Sequence, residues 1–209
     1  MSRLLLIDGH PNPDSFCAAI ARQYAEAASA APSANPVEVR HLALRDLEFD
    51  PILHAGYRGS QPLEPDLVDA RDELEAASHI ALVSPIWWGS VPALLKGFFD
   101  RTLQARWAYH YTSRGPVGHL KGRTGRVFLT TDSPGWYLRA VAGRPTERQL
   151  VGGTLKFCGI KPVAVTRFGP VRTSTPAKRG GWLDRVAQLA AHDATRVSPT
   201  PPPPVVVTG

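Results

Sequence analysis

The most constraining feature of the chain is a continuous apolar run, HIALVSP at positions 79–85, that stops at a proline. Such a run predicts a strand buried on both faces of a parallel sheet, and Pro85 ends it because proline has no N–H for a neighbouring strand. Ile86, Trp87 and Trp88 follow directly. Because open α/β sheets bind ligands beyond the carboxyl ends of their strands, this loop is a candidate site for a flat aromatic ligand. On this segment alone, tryptophans that only pack the core or cap the next helix are an equal alternative.

The N-terminal segment supplies a second loop of the same kind. Residues 3–8, RLLLID, predict a short strand, and GHPNPD at 9–14 cannot continue a regular element. Ser15 then begins an alanine-rich helix, so its hydroxyl and the free N–H groups of the first turn face the sheet edge. A phosphate fits such a helix N-terminus, although Ser15 taken singly is more simply a helix cap. The pairing of this loop with the aromatic loop predicts a nucleotide-like cofactor.

Strand and helix patterns alternate along the chain. Apolar runs predict strands at residues 3–8, 37–42, 79–85, 126–131 and 162–168. Helical patterns follow each strand, at residues 15–30, 66–77, 91–103, 146–157 and 181–197. These βα units imply an α/β fold with a doubly wound five-stranded parallel sheet, in the order 2-1-3-4-5, with helices on both faces. The switch point lies between strands one and three, which carry the two loops.

The remaining segments define the domain boundaries. A chain of 209 residues is too short for two ordinary domains, so residues 1–197 are predicted to form a single domain. Residues 44–62 are expected to cross the surface, with packing near the cofactor as the alternative, and residues 109–123 are expected to form a polar loop. The segment 198–209, SPTPPPPVVVTG, predicts a proline-rich, disordered or extended tail.

Composition and missing motifs narrow the function. Cys17 and Cys158 have no metal-ligand or secreted-type spacing, which predicts a cytoplasmic protein with buried thiols and no metal site. No signal peptide or membrane insertion is predicted, because no apolar run approaches the ~20 residues of a spanning helix.

The net charge is +6, but the basic residues are scattered, so a small anionic partner explains them at least as well as nucleic acid. The nucleophile elbow G-x-S-x-G, the phosphate loop G-x-x-x-x-G-K-[ST] and the zinc motif H-E-x-x-H are all absent.

Three segments carry a resemblance to a known family: GHPNPDSF at 9–16, SPIWWGSVPALLKGFFDR at 84–101 and WAYHY at 107–111. They resemble the flavodoxin-like NAD(P)H:quinone oxidoreductases, including the ancillary reductases of potassium efflux systems, and the resemblance runs from about Leu4 to Gly169. It implies a flavodoxin-like fold and a flavin, FMN or alternatively FAD, with the short chain favouring FMN. It also implies two-electron, ping-pong hydride transfer from NADPH or NADH to a quinone-like acceptor.

The resemblance also implies which residues bind the cofactor. These are His10, Ser15, Phe16 and Cys17 around the flavin phosphate, Pro85, Ile86, Trp87 and Trp88 along the isoalloxazine ring, and Thr130, Thr131 and Asp132 beneath it. Two of these positions depart from the family pattern. Cys17 stands where many relatives have asparagine, and Asp132 begins a turn in which relatives have paired glycines.

Three tyrosines complete the implied site. Tyr109 and Tyr111 match aromatic residues that cover the pocket of a partner subunit, which predicts a homodimer with these tyrosines at the substrate pocket. Tyr137 matches a tyrosine beside the flavin and is predicted to be catalytic, as a hydrogen-bond donor to the developing negative charge. The histidine that follows it in some relatives is absent here.

Two other functions remain open. A flavodoxin-type electron carrier or a regulatory subunit would bind flavin without reacting with NAD(P)H. Carriers of that type tend to be acidic and this chain is basic, so the carrier ranks lower. The second of these alternatives is a protein that keeps the fold but no longer binds the cofactor.

Overall fold

The computed structural model describes residues 2–32, 37–56, 59 and 61–197. Its strands, in chain order, are β1 (Ser2–Asp8), β2 (Val37–Ala43), β3 (His79–Pro85), β4 (Tyr109–Thr112), β5 (Gly115–Gly118), β6 (Thr124–Thr130) and β7 (Val163–Phe168). Five of them form one parallel sheet in the order β2-β1-β3-β6-β7. Since β6 and β7 are the fourth and fifth strands expected from the sequence, the predicted order 2-1-3-4-5 is confirmed.

Helices cover both faces of this sheet. They are α1 (Phe16–Ser29), α2 (Pro65–Ala76), α3 (Ala93–Thr102), α4 (Gly135–Ala140), α5 (Pro145–Glu147), which continues as a π-helix (Arg148–Lys156), and α6 (Pro176–Ala194), with a short 3₁₀ helix at Leu44–Asp46. Successive side chains of a strand point to opposite faces. Leu4 and Leu6 therefore pack with α1 and α6, whereas Leu5 and Ile7 pack with α2, α3 and the π-helix.

The central strand β3 is buried along its whole length, as its continuous apolar sequence predicts. Its neighbours are β1 on one side and β6 on the other. The carboxyl ends of β1, β3 and β6 therefore meet at one edge of the sheet, where the loops after Asp8, Pro85 and Thr130 face one another.

Two connections differ from the sequence prediction. Residues 109–123 are not simply a polar loop, because β4 and β5 pair as an antiparallel hairpin. Its turn is closed by the Thr112 hydroxyl, which donates to the carbonyl of Gly115 at 2.8 Å. Within the described residues of 44–62, contacts with α3 replace a simple surface crossing, and buried Arg101 donates to the carbonyls of Asp50 and Pro62.

Three helices also differ from the prediction. Helix α4 was not expected, and α6 begins at Pro176, where the Thr175 hydroxyl caps it, five residues before the predicted start at 181. The predicted helix at 146–157 is present, but most of it has π spacing. The Thr154 hydroxyl donates to the carbonyl of Gln149, five residues earlier, at 3.0 Å.

The predicted tail, residues 198–209, lies outside the described residues. Within the described part of the chain, no helix is both long and apolar enough to cross a bilayer.

Candidate functional site

A cleft of about 260 Å³ opens at the sheet edge where the loops after β1, β3 and β6 meet. It is lined by His10, Ser15, Phe16, Cys17, Pro85, Ile86, Trp87, Thr130, Thr131, Asp132, Ser133 and Val171. Every predicted cofactor-binding residue except Trp88 is in this set. The topology explains the convergence, because three neighbouring parallel strands deliver their following loops to one place.

The first wall is the loop between β1 and α1. The N–H of Gly9 donates to the carbonyl of Val83 at 2.9 Å, and a Cβ at Gly9 would lie 2.8 Å from a methyl carbon of Leu95. Only glycine lets the loop turn this closely over α3. The Ser15 hydroxyl oxygen accepts the N–H of Ala18 at 3.1 Å, so Ser15 is the N-cap of α1.

His10 links this wall to the aromatic loop. Its Nδ1 accepts the N–H of Asn12 at 3.0 Å, so a neutral His10 carries its proton on Nε2. The ring meets Trp87 edge-on, with centroids 5.3 Å apart. Burial lowers the pKa of His10, against an upward influence of Asp8. A lowered pKa favours the neutral ring, with one N–H donor, at neutral pH.

The second wall is the aromatic loop after β3. Ile86 N–H donates to the carbonyl of Thr130 at 2.8 Å, which ties this loop to the end of β6. Trp87 and Ser90 exchange backbone hydrogen bonds of 3.0 and 2.9 Å, closing a tight turn whose central residues, Trp88 and Gly89, have φ of 52° and 72°. Trp88 is fully exposed and does not line the cleft.

The third wall is formed by the ends of β6 and β7. Cys17 Sγ lies 3.1 Å from Thr130 Oγ1, and burial raises the pKa of this thiol to about 12. Cys17 therefore stays a protonated, packed side chain, as the sequence predicts. Ser133 N–H donates to Thr131 Oγ1 at 3.0 Å and Val171 N–H donates to the Thr131 carbonyl at 3.0 Å.

Sequence reasoning missed Ser133 and Val171. Val171 follows β7, the fourth strand whose carboxyl end reaches this edge. The predicted strand order could therefore have identified the loop that contains it. Ser133 belongs to the turn that departs from the family pattern. Asp132 Oδ1 accepts the N–H of Arg172 at 2.7 Å, which joins that turn to the loop after β7.

The predicted tyrosines lie elsewhere. Tyr109 and Tyr111 contact each other, with centroids 5.7 Å apart, and line a separate cleft of about 1010 Å³ between α3, the hairpin and the π-helix. Tyr137 lies on α4, 42% exposed, with its ring edge-on to Trp136 at 6.0 Å. It is not among the residues that line the smaller cleft.

Comparison with known proteins agrees with this architecture. The sequence profile of the flavodoxin-like fold family matches residues 2–189. The chain belongs to this family. A Haemophilus influenzae relative named an uncharacterized NAD(P)H oxidoreductase is 30% identical over 189 residues, covering 88% of this chain and 92% of the relative. A Hyphomonas neptunium relative named an FMN-dependent NADH:quinone oxidoreductase is 29% identical, covering 90% and 97%.

A solved structure shares the fold at full length. The Streptococcus mutans UA159 protein superimposes with a TM-score of 0.78 at 29% identity, covering 91% of this chain and 99% of that one. The predicted family is therefore confirmed, and so is the predicted enzyme class, an oxidoreductase.

Proposed function

We propose that this flavodoxin-like protein is an FMN-dependent NAD(P)H:quinone oxidoreductase. One observation carries the proposal: donors suited to a phosphate and walls suited to a flat ring line the same cleft. The names of the Haemophilus and Hyphomonas relatives support NAD(P)H as the electron donor, and the second name supports FMN and a quinone acceptor. FAD remains the alternative flavin.

The donor groups of the first wall fit a phosphate. In the first turn of α1, the Ala18 N–H is satisfied by the Ser15 oxygen, and the Ala19 N–H by the Ser15 carbonyl. The N–H groups of Phe16 and Cys17 precede them, where a helix offers no internal acceptor. These two N–H groups, the Ser15 hydroxyl and the Nε2–H of neutral His10 are four hydrogen-bond donors. They can bind a phosphate without a lysine side chain.

The two walls next to the phosphate donors fit the ring system of a flavin. Pro85, Ile86 and Trp87 form one apolar side, and Thr130, Thr131 and Asp132 form the other. When bound, FMN supplies the hydride chemistry, while the protein supplies orientation and electrostatics. The cleft residues hold the ring in place and exclude water from its buried side, and Trp87 is fixed by its backbone pairing with Ser90.

The residues around the ring also limit the proton chemistry. Cys17 stays protonated at neutral pH, since its pKa is about 12. We propose Tyr137 as the donor to the charge that develops during reduction, because a phenol hydroxyl can donate a hydrogen bond to a developing anion. This role requires the α4 segment to bring the Tyr137 hydroxyl over the cleft.

We also propose a homodimer. Tyr111 is largely exposed, at 71%, on a hairpin that borders the larger cleft. Exposed aromatic side chains gathered beside an open cleft are typical of interfaces. Sedimentation of the purified protein should give a dimer at micromolar concentration, and Tyr111→Ser should shift it toward monomer. A parent monomer with full activity would contradict the proposal.

The deciding experiment combines cofactor identification with turnover. Mass spectrometry of the flavin released on denaturation should identify FMN. NADH and NADPH oxidation should be fast with a quinone and slow without it. A flavin that neither dinucleotide reduces would indicate an electron carrier or regulatory subunit instead, and a colourless protein that neither FMN nor FAD reconstitutes would rule out both functions. A single domain over residues 1–197 and a cytoplasmic location remain predictions from the sequence.

A further inference from the structure

A buried ion pair lies directly beneath the first loop of the cleft. Asp8, the last residue of β1, is completely buried, and its Oδ2 lies 2.5 Å from Nη1 of Arg45. Arg45 comes from the 3₁₀ helix that follows β2, the neighbouring strand, in which Ala43 is paired with Asp8. A buried carboxylate is strongly destabilising unless a partner compensates its charge. Arg45 is the partner that the sheet register provides.

This pair holds the backbone of His10 from both sides. Asp8 Oδ1 accepts the N–H of His10 at 3.1 Å, and Arg45 Nη1 also donates to the His10 carbonyl at 3.4 Å. The Nδ1 atom of His10 in turn accepts a hydrogen bond from the N–H of Asn12, and the His10 ring contacts Trp87. The ion pair therefore fixes the residue that joins the two loops of the cleft.

The charge of Asp8 also reaches the first turn of α1. Burial raises the pKa of Cys17, and the negative charge of Asp8 acts in the same direction. At His10 the charges of Asp8 and Arg45 have opposite effects on the pKa. A lone carboxylate here would oppose an anionic ligand at the helix start, and Arg45 cancels that field.

We propose that Arg45 is a positioning and charge-balancing residue for the phosphate of the cofactor: it neutralises Asp8 and, with Asp8, fixes the His10 loop. This inference rests on the proposed function, because it assumes a phosphate-bearing flavin. Arg45 touches the loop and not the reacting atoms, so it is not a catalytic residue.

The test uses two ligands that differ only in the phosphate. Dissociation constants for FMN and riboflavin are measured by flavin fluorescence on flavin-free protein. Arg45→Met leaves Asp8 unbalanced, so it should weaken FMN binding about tenfold, the scale of one charge in a partly buried site, with a much smaller effect on riboflavin. Asp8→Asn keeps an oxygen for the His10 N–H and leaves Arg45 positive, so it should tighten FMN binding about tenfold.

The double variant and a control separate this role from a purely structural one. Asp8→Asn with Arg45→Met removes both charges and should return FMN affinity to within about threefold of the parent value. Arg40→Met, on β2 and paired with Glu73 at the surface, should change neither affinity. If both single variants weaken FMN and riboflavin alike, the pair is only structural and the inference is wrong.

The outcomes also distinguish this inference from the proposed function. A parent protein that binds neither flavin would overturn both. A parent that binds FMN tightly, together with an Arg45→Met protein that binds FMN equally well, would overturn only the role of Arg45. Should Arg45→Met fail to fold, Asp8→Asn alone decides, because only charge balance predicts tighter FMN binding.

Discussion

Arg126 holds the carboxylate of Asp193 through two nitrogens in the layer between the sheet and α6. Nη2 donates to Oδ1 at 2.7 Å and Nε donates to Oδ2. The Tyr24 hydroxyl donates to the same Oδ2 at 2.9 Å, and His79 Nε2 lies 3.4 Å away. Four elements, α1, β3, β6 and α6, therefore meet at one buried carboxylate.

Asp193→Asn should destabilise the fold by about 3–5 kcal/mol, because it leaves Arg126 buried without its counter-charge. Urea unfolding followed by circular dichroism measures the difference. Asp184→Asn, at an exposed position of the same helix, is the matched control and should change stability by less than about 0.5 kcal/mol. A loss below about 1 kcal/mol in Asp193→Asn would show that the network contributes little.

The same carboxylate predicts how stability depends on pH. Burial would raise the pKa of Asp193, but the hydrogen bonds and charges of Arg126 and His79 outweigh burial and hold the pKa well below its usual range. A depressed folded-state pKa contributes stability that is full above the unfolded value, ~3.9, and is lost as the pH falls below it. The stability gap between the parent and Asp193→Asn should therefore shrink as the pH falls below about 4. A gap that widens in acid would contradict this assignment.

Ser15→Ala should weaken FMN binding by about 0.5–2 kcal/mol, through loss of the hydroxyl donor and of the α1 cap. Fluorescence titration of flavin-free protein gives the affinity. Thr175→Ala, which removes the equivalent cap of α6, is a control for helix capping alone. If the parent, Ser15→Ala and Thr175→Ala bind FMN with equal affinity, the phosphate is not bound at Ser15.

Tyr137→Phe should slow flavin reduction about tenfold to a thousandfold while flavin content stays unchanged, the range for loss of one oriented donor. Stopped-flow reduction by NADPH is the measurement. Trp136→Phe, beside it on α4, tests whether an altered aromatic contact is enough to produce the effect. If Tyr137→Phe is reduced at the parent rate, Tyr137 is structural.

Gly97→Ala should detach the segment around Pro51 from α3. A Cβ at Gly97 would lie 2.4 Å from the Cβ of Pro51 and 2.5 Å from its carbonyl oxygen, so one side must move. Limited proteolysis should cut this segment faster in the variant. Lys96→Ala, at an exposed neighbouring position, should not alter the cleavage rate. Unchanged cleavage in Gly97→Ala would mean that the contact can adjust.

The sequence predicts the sheet well because each strand carries its own apolar pattern. It also locates the cleft, since strand order alone brings the loops after Asp8, Pro85 and Thr130 together. Local patterns do not reveal partners from distant parts of the chain. The Arg126–Asp193 pair joins residues 67 positions apart, and neither residue is marked by its neighbours.

Local features of the sequence explain why three parts of the structure were not predicted. The β4–β5 hairpin is short and only partly buried, so it has no apolar alternation to detect. Helix α4 follows Pro134 and begins with Gly135, a residue that disfavours helix on propensity alone. In the segment after β2, Asp50 and Pro62 are held by Arg101, a charged residue whose burial no hydrophobic pattern signals.

The turn at Trp88 places a bulky residue in a left-handed backbone conformation. A bulky residue with φ of 52° is strained, and a fully exposed indole adds nothing to the core, so folding stability does not explain its presence. Glycine or asparagine would suit the backbone better. The strained turn therefore presents the whole indole to solvent, and changing Trp88 leaves the packing of the buried sheet untouched.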